Sequence, residues 1–97
     1  MPFDVKPEHL AIVKSILNTY LPDREIFAFG SRVTGKAKPT SDLDLCVIGE
    51  SLPFEIAANL KLAFSNSDIP YAVDLVEWAN CSESFRELIR KHQLRIF

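Results

Sequence analysis

Three aspartates and one Gly-Ser pair are the residues of this sequence whose types and spacing suit chemistry. From Gly30 to Val47, GSRVTGKAKPTSDLDLCV, Asp42 and Asp44 alternate with Leu43, Leu45 and Val47. Alternation of this kind is a strand whose leucines enter the core and whose aspartates share the other face, with Cα atoms about 6.5 to 7 Å apart. A one-residue slip would bury both carboxylates, so the leucines fix the register. Two like charges held this way raise each other's pKa unless a cation lies between them, and an all-oxygen donor set suits Mg²⁺ or Mn²⁺. Asp74 interrupts a later apolar run, YAVDLVEW. If the two strands are neighbours, Asp74 faces Asp42 and Asp44 and completes a three-carboxylate site for two ions. Glu77 is the weaker candidate, because alternation sends it to the face opposite Asp74.

Gly30-Ser31 closes an apolar run, Glu25–Phe29, where a short helical turn can begin. Glycine lets the backbone approach a phosphate, and the serine hydroxyl can hydrogen-bond it. Taken singly, an Asp-x-Asp is more often solvated surface and a Gly-Ser is more often only a turn. The joint pattern, Gly-Ser then ten residues then Asp-x-Asp, arises by chance in a chain of this length on the order of once in a thousand. Phosphates on the turn and metal ions on the aspartates together describe in-line attack at phosphorus.

These groups need a small scaffold to position them. The 97 residues suffice for one hydrophobic core, and we expect a single domain over residues 1–97. With 47% hydrophobic and 25% charged residues the composition is that of a soluble globular protein. The N-terminus lacks the pattern of a secretory signal and no apolar run nears the ~18 residues of a membrane span, so we expect a cytoplasmic protein with no membrane partner. A net charge of −2 argues against direct nucleic-acid binding. Cys46 and Cys81 lack zinc-ligand spacing and read as small, semi-buried side chains.

Hydrophobic periodicity predicts a helix over 7–20, a strand over 25–29, a helical turn and loop over 31–41, a strand over 42–48, a helix to about 66, a strand over 71–78 and a last helix to about 92. Ser84 and Glu87 are spaced for a capping box, with Phe85, Leu88 and Ile89 as the buried face behind it. His9 and His92 read as solvated. Leu94, Ile96 and Phe97 form an apolar tail for the sheet edge or for a partner. The expected fold is α+β, a small mixed β-sheet of about three to four strands with helices packed mainly on one face.

On these residues the sequence resembles the DNA polymerase β-like nucleotidyltransferase superfamily, whose signature is Gly-Ser, then Asp-x-Asp, then a third carboxylate on a later strand. Its size is similar to the minimal nucleotidyltransferase (MNT) antitoxins paired with HEPN-domain toxins. Gly30, Ser31, Arg32, Gly35, Ser41, Asp42, Asp44 and Asp74 fall on the motif positions of that branch, while Thr34 and Lys38 stand where many members carry arginine. The resemblance implies transfer of a nucleoside monophosphate, AMP from ATP, to a hydroxyl, such as a tyrosine of a HEPN toxin. It implies that Asp42 and Asp44 ligate two Mg²⁺ ions, that Asp74 ligates the catalytic one and helps deprotonate the acceptor, that Gly30 and Ser31 hold the β- and γ-phosphates, and that Arg32 stabilises charge there. Larger relatives grip the acceptor with a second helical domain, which here an external partner would replace. The rival expectations are a binding module that neutralises a HEPN partner by occlusion and an enzyme that modifies a small molecule such as an antibiotic. Nucleotide preference and oligomeric state stay open.

Overall fold

The computed structural model describes residues 3–97. In chain order the elements are α1 (Pro7–Tyr20), β1 (Ile26–Phe29), α2 (Ser31–Thr34), β2 (Leu43–Val47), α3 (Phe54–Ser65), β3 (Val73–Glu77), a 3₁₀ turn (Trp78–Asn80), α4 (Glu83–Lys91) and β4 (Leu94–Arg95). Pro7 opens α1, where its missing N–H costs nothing, and the helix closes at Leu21, whose N–H reaches Leu17 O at 2.7 Å ahead of Pro22.

The four strands form one mixed sheet in the order β3-β2-β1-β4. β1 and β2 run antiparallel with Ala28 opposite Leu45 and Phe29 opposite Asp44. β2 and β3 run parallel, joined by the α3 crossover, with Asp44 in register with Asp74. Strand alternation then divides the side chains cleanly. Ile26, Ala28, Leu43, Leu45 and Val47 face Val13 and Leu17 of α1 and Leu60 and Phe64 of α3 in the main core. Each of the fully buried leucines contributes about 1.5–3 kcal/mol to that core. On the other face Phe29 and Cys46 meet Ile89 of α4, with Val76, Trp78 and Phe85 around them. Helices α1 and α3 thus cover most of one face, whereas α4 covers part of the other.

The expected boundaries contract at the strand ends: Asp42 lies just ahead of β2, and Tyr71 and Ala72 just ahead of β3. The cap of α4 is corrected. Ser82, not Ser84, is the N-cap, and its hydroxyl accepts from Phe85 N–H at 3.2 Å, while Glu87 pairs with Arg90 at 2.7 Å instead of reaching back to the helix start. The C-terminal tail packs on the sheet edge. Leu94 and Arg95 pair with Ala28 and Phe27, Ile96 N–H donates to Ile26 O at 3.0 Å, and the Ile96 side chain joins the main core.

Candidate active site

The Gly30-Ser31 turn and the aspartates meet at the uncovered end of the α4 face. Gly30 follows the last residue of β1 with φ 82° and ψ −158°, a conformation that side chains exclude. The turn must take this shape for the chain to pass over Asp44: a Cβ at Gly30 would overlap the Asp44 carboxylate Oδ2. Beyond it, Ser31 and Arg32 head α2, and their N–H groups have no preceding helical carbonyl to bond.

Asp44 is half-buried beside this turn, with Asp74 next to it across the β2–β3 ladder and Asp42 two residues away on the same face. Burial first, then the negative charges of Asp74 and Asp42, hold its carboxyl above the ordinary carboxylate range. None of the three aspartates forms a salt bridge among the described residues, whose ion pairs are Arg90 with Glu83 and Glu87, and Arg95 with Glu25. As the side chains lie, no group of three His, Cys, Asp or Glu among the described residues converges enough to cage a metal ion by itself. The donor set still fits a hard cation. All donors are carboxylate oxygens, the central one is destabilised by unneutralised like charge, and Mg²⁺ characteristically takes one or two carboxylates with water and substrate phosphates as its other ligands.

A cavity of about 410 Å³ opens on Asp44, the one aspartate of the three that lines it. Gly30, Ser31 and Asp44 form one side, Lys36 stands at the loop after α2, and Leu88 and His92 supply the α4 wall. Sequence reasoning missed that wall. Leu88, expected in the buried face of α4, is 57% exposed, because Phe85 and Ile89 make the sheet contact and Leu88 flanks it on the cavity side. Its offset from Phe85 and Ile89 around the helix is the signal that would have found it.

Glu77 lies outside the acidic group, on the α3 face, where Oε1 accepts from Leu52 N–H at 2.6 Å and steadies the entry to α3. Arg32 requires a correction. It was expected at the phosphates, but it is only 4% exposed and its guanidinium is taken up by backbone carbonyls. Nε donates to Ser41 O at 3.0 Å, Nη1 to Asp4 O at 2.8 Å, and Nη2 to Ser41 O at 2.7 Å and Pro39 O at 3.1 Å. Ser41 itself closes the loop ahead of Asp42, its hydroxyl accepting from Lys38 N–H at 2.8 Å and its N–H reaching Lys38 O at 3.0 Å.

Comparison with known proteins agrees with this geometry. A family profile described as "Nucleotidyltransferase domain" matches residues 10–96. The chain is 58% identical over 89 residues to the "Probable protein adenylyltransferase MntA" of Haemophilus influenzae, spanning 91% of this chain and 78% of that protein. Among solved structures, one described as a toxin-antitoxin with AMP-PNP matches at TM-score 0.76 and 21% identity, over 91% of this chain and 72% of that one. A second, a tri-AMPylated HEPN toxin of Shewanella oneidensis in complex with its MNT antitoxin, matches at TM-score 0.67 and 19% identity, over 91% and 68% of the two chains. These last two carry the fold, and the profile and the close relative carry the family: the chain belongs to the nucleotidyltransferase domain family.

Proposed function

We propose that this protein is an adenylyltransferase antitoxin that moves AMP from ATP to a tyrosine hydroxyl of a HEPN-domain toxin in the cytoplasm. The observation that carries the reading is that the Gly30-Ser31 turn and Asp44 share one cavity, with Asp42 and Asp74 on the same face of the sheet. The Haemophilus relative's name supports the activity, and the AMPylated toxin bound to an MNT chain supports the acceptor class.

In this reading the Ser31 hydroxyl and the N–H groups that head α2 bind the β- and γ-phosphates, with Gly30 allowing the close approach. Asp42 and Asp44 would hold two Mg²⁺ ions, or Mn²⁺ in their place, and Asp74 would share the one nearest the reacting phosphorus. Bound there, the ions supply charge neutralisation of the triphosphate and of the leaving group. The acceptor oxygen attacks the α-phosphorus in line as the bond to the bridging oxygen of the β-phosphate breaks. Pyrophosphate leaves, and Asp74 receives the acceptor proton. Leu88 and His92 would line the nucleotide's side of the cavity opposite Gly30 and Ser31.

The test is incubation with Mg²⁺, ATP labelled in the α-phosphate and the HEPN protein encoded beside it. Label on the toxin that disappears with Asp44→Ala supports the proposal. A toxin neutralised equally by wild type and Asp44→Ala, with no label on it, replaces the proposal with inhibition by occlusion. Label found only on an added aminoglycoside would assign a small-molecule acceptor.

A further inference from the structure

We infer that Arg32 is the positioning residue of this site: one buried guanidinium fixes the phosphate-binding turn, the loop that delivers Asp42 and the segment that leads to Asp74 in a single frame. The inference rests on the nucleotidyltransferase reading above. Arg32 is in the first turn after Gly30-Ser31, and it holds Ser41 O, the carbonyl immediately before Asp42, with two donors at 3.0 and 2.7 Å. Nη2, which makes the shorter of these bonds, also reaches Pro39 O at 3.1 Å, so the loop is pinned at two places ahead of the strand. The guanidinium carbon Cζ lies over the Tyr71 ring, 3.7 Å from its centroid. Tyr71 stands three residues before Asp74, and the chain between them is locked to β2 by Leu43 N–H donating to Ala72 O at 2.9 Å. The N-terminal segment completes the frame reciprocally: Arg32 Nη1 donates to Asp4 O at 2.8 Å, and Asp4 N–H donates to Arg32 O at 2.8 Å.

Burying a charge without a carboxylate partner is costly, and a brace for a surface loop alone does not demand it. What the arrangement requires is a rigid planar group with several donors in one plane and a face free for stacking. Arginine has both and lysine has neither. Besides the N-terminal segment at Asp4, the segments that Arg32 joins are those that carry Gly30-Ser31, Asp42 and Asp74. Arg24 offers an internal control. Its guanidinium also grips carbonyls, Ile48 O at 3.0 Å and Glu50 O, but at the opposite end of β2.

The test compares Arg32→Lys with Arg24→Lys in the otherwise intact chain. Thermal unfolding, Mn²⁺ titration in the presence of AMP-PNP, and kcat and KM for ATP are measured on each. Arg32→Lys is expected to weaken Mn²⁺ binding by about 10-fold or more and to lower kcat by about 100-fold, with a much smaller change in KM. Arg24→Lys is expected to lower Tm and leave Mn²⁺ binding unchanged. Tyr71→Leu, which removes the ring and keeps the donors, should weaken Mn²⁺ binding in the same direction by less, and it decides the matter should Arg32→Lys not fold. Wild-type Mn²⁺ binding in Arg32→Lys, or an effect no larger than that of Arg24→Lys, overturns the inference. A rise in KM for ATP with kcat and Mn²⁺ binding intact overturns it also, since that is the mark of a direct phosphate contact. Wild-type protein that binds Mn²⁺ and AMP-PNP yet labels no acceptor refutes the proposed acceptor and leaves the Arg32 comparison decisive.

Discussion

Gly30→Ala is the substitution whose cost can be worked most directly from the structure. Alanine at φ 82° and ψ −158° enters a region that is essentially reserved for glycine, at about 1–3 kcal/mol. The new methyl would also overlap Asp44 Oδ2, forcing that half-buried carboxylate off its rotamer for about 1 kcal/mol more. A total near 2–4 kcal/mol lowers the Tm of a domain this size by more than ~10 °C without unfolding it at room temperature. The two contributions separate in a double-mutant cycle. Gly30→Ala should cost about 1 kcal/mol less in an Asp44→Ala background, because the carboxylate it strikes is gone. Gly35→Ala is the matched control: φ is 81°, but nothing lies within 4 Å of its Cβ, so it should cost about 1–2 kcal/mol in either background. Urea unfolding of the variants gives the cycle. A Gly30–Asp44 coupling below about 0.3 kcal/mol, indistinguishable from that of Gly35, would refute the claim that the turn is shaped to pass over Asp44.

Further outcomes follow from other parts of the molecule. Asp44 has a raised pKa in the fold, so the protein binds its proton more tightly folded than unfolded and loses stability as pH rises from the unfolded value toward the folded one. Asp44→Asn should therefore unfold at a higher temperature than wild type at neutral pH in EDTA, an advantage that vanishes below the unfolded pKa; a penalty at neutral pH would contradict the crowding of acids. Mg²⁺ with AMP-PNP should raise the wild-type Tm and leave that of Asp44→Asn unmoved. Ser82→Ala should cost about 1 kcal/mol in urea unfolding while Ser84→Ala costs little, since Ser82 holds the α4 cap. Leu88→Ala, at a position 57% exposed, should barely change stability yet weaken AMP-PNP binding in calorimetry.

What could be read in advance was whatever depends on local period. The alternation Leu43, Leu45, Val47 forces Asp42 and Asp44 to one face, and the α1 stripe and its Pro7 start were equally plain. The adjacency of Asp74 to Asp44 was legible only as a condition, because parallel pairing depends on how α3 returns the chain. Arg32 was misjudged for a different reason. Its partners are backbone carbonyls at residues 4, 39 and 41, and carbonyls have no sequence signature. The α4 cap failed because serines at 82 and 84 satisfy the same local rule, and the choice between them is made by where Phe85 and Ile89 must sit on the sheet.

In the proposed function, Asp42, Asp44 and Asp74 act as one metal-binding catalytic group rather than as a solvated acidic edge. That role is tested most directly by the intact mass of the HEPN partner after incubation with ATP and Mg²⁺. Wild type should add AMP units, whereas Asp44→Ala and Asp74→Ala, each still folded and bound to the partner, should add none. AMP transfer that survives the loss of either carboxylate would contradict it.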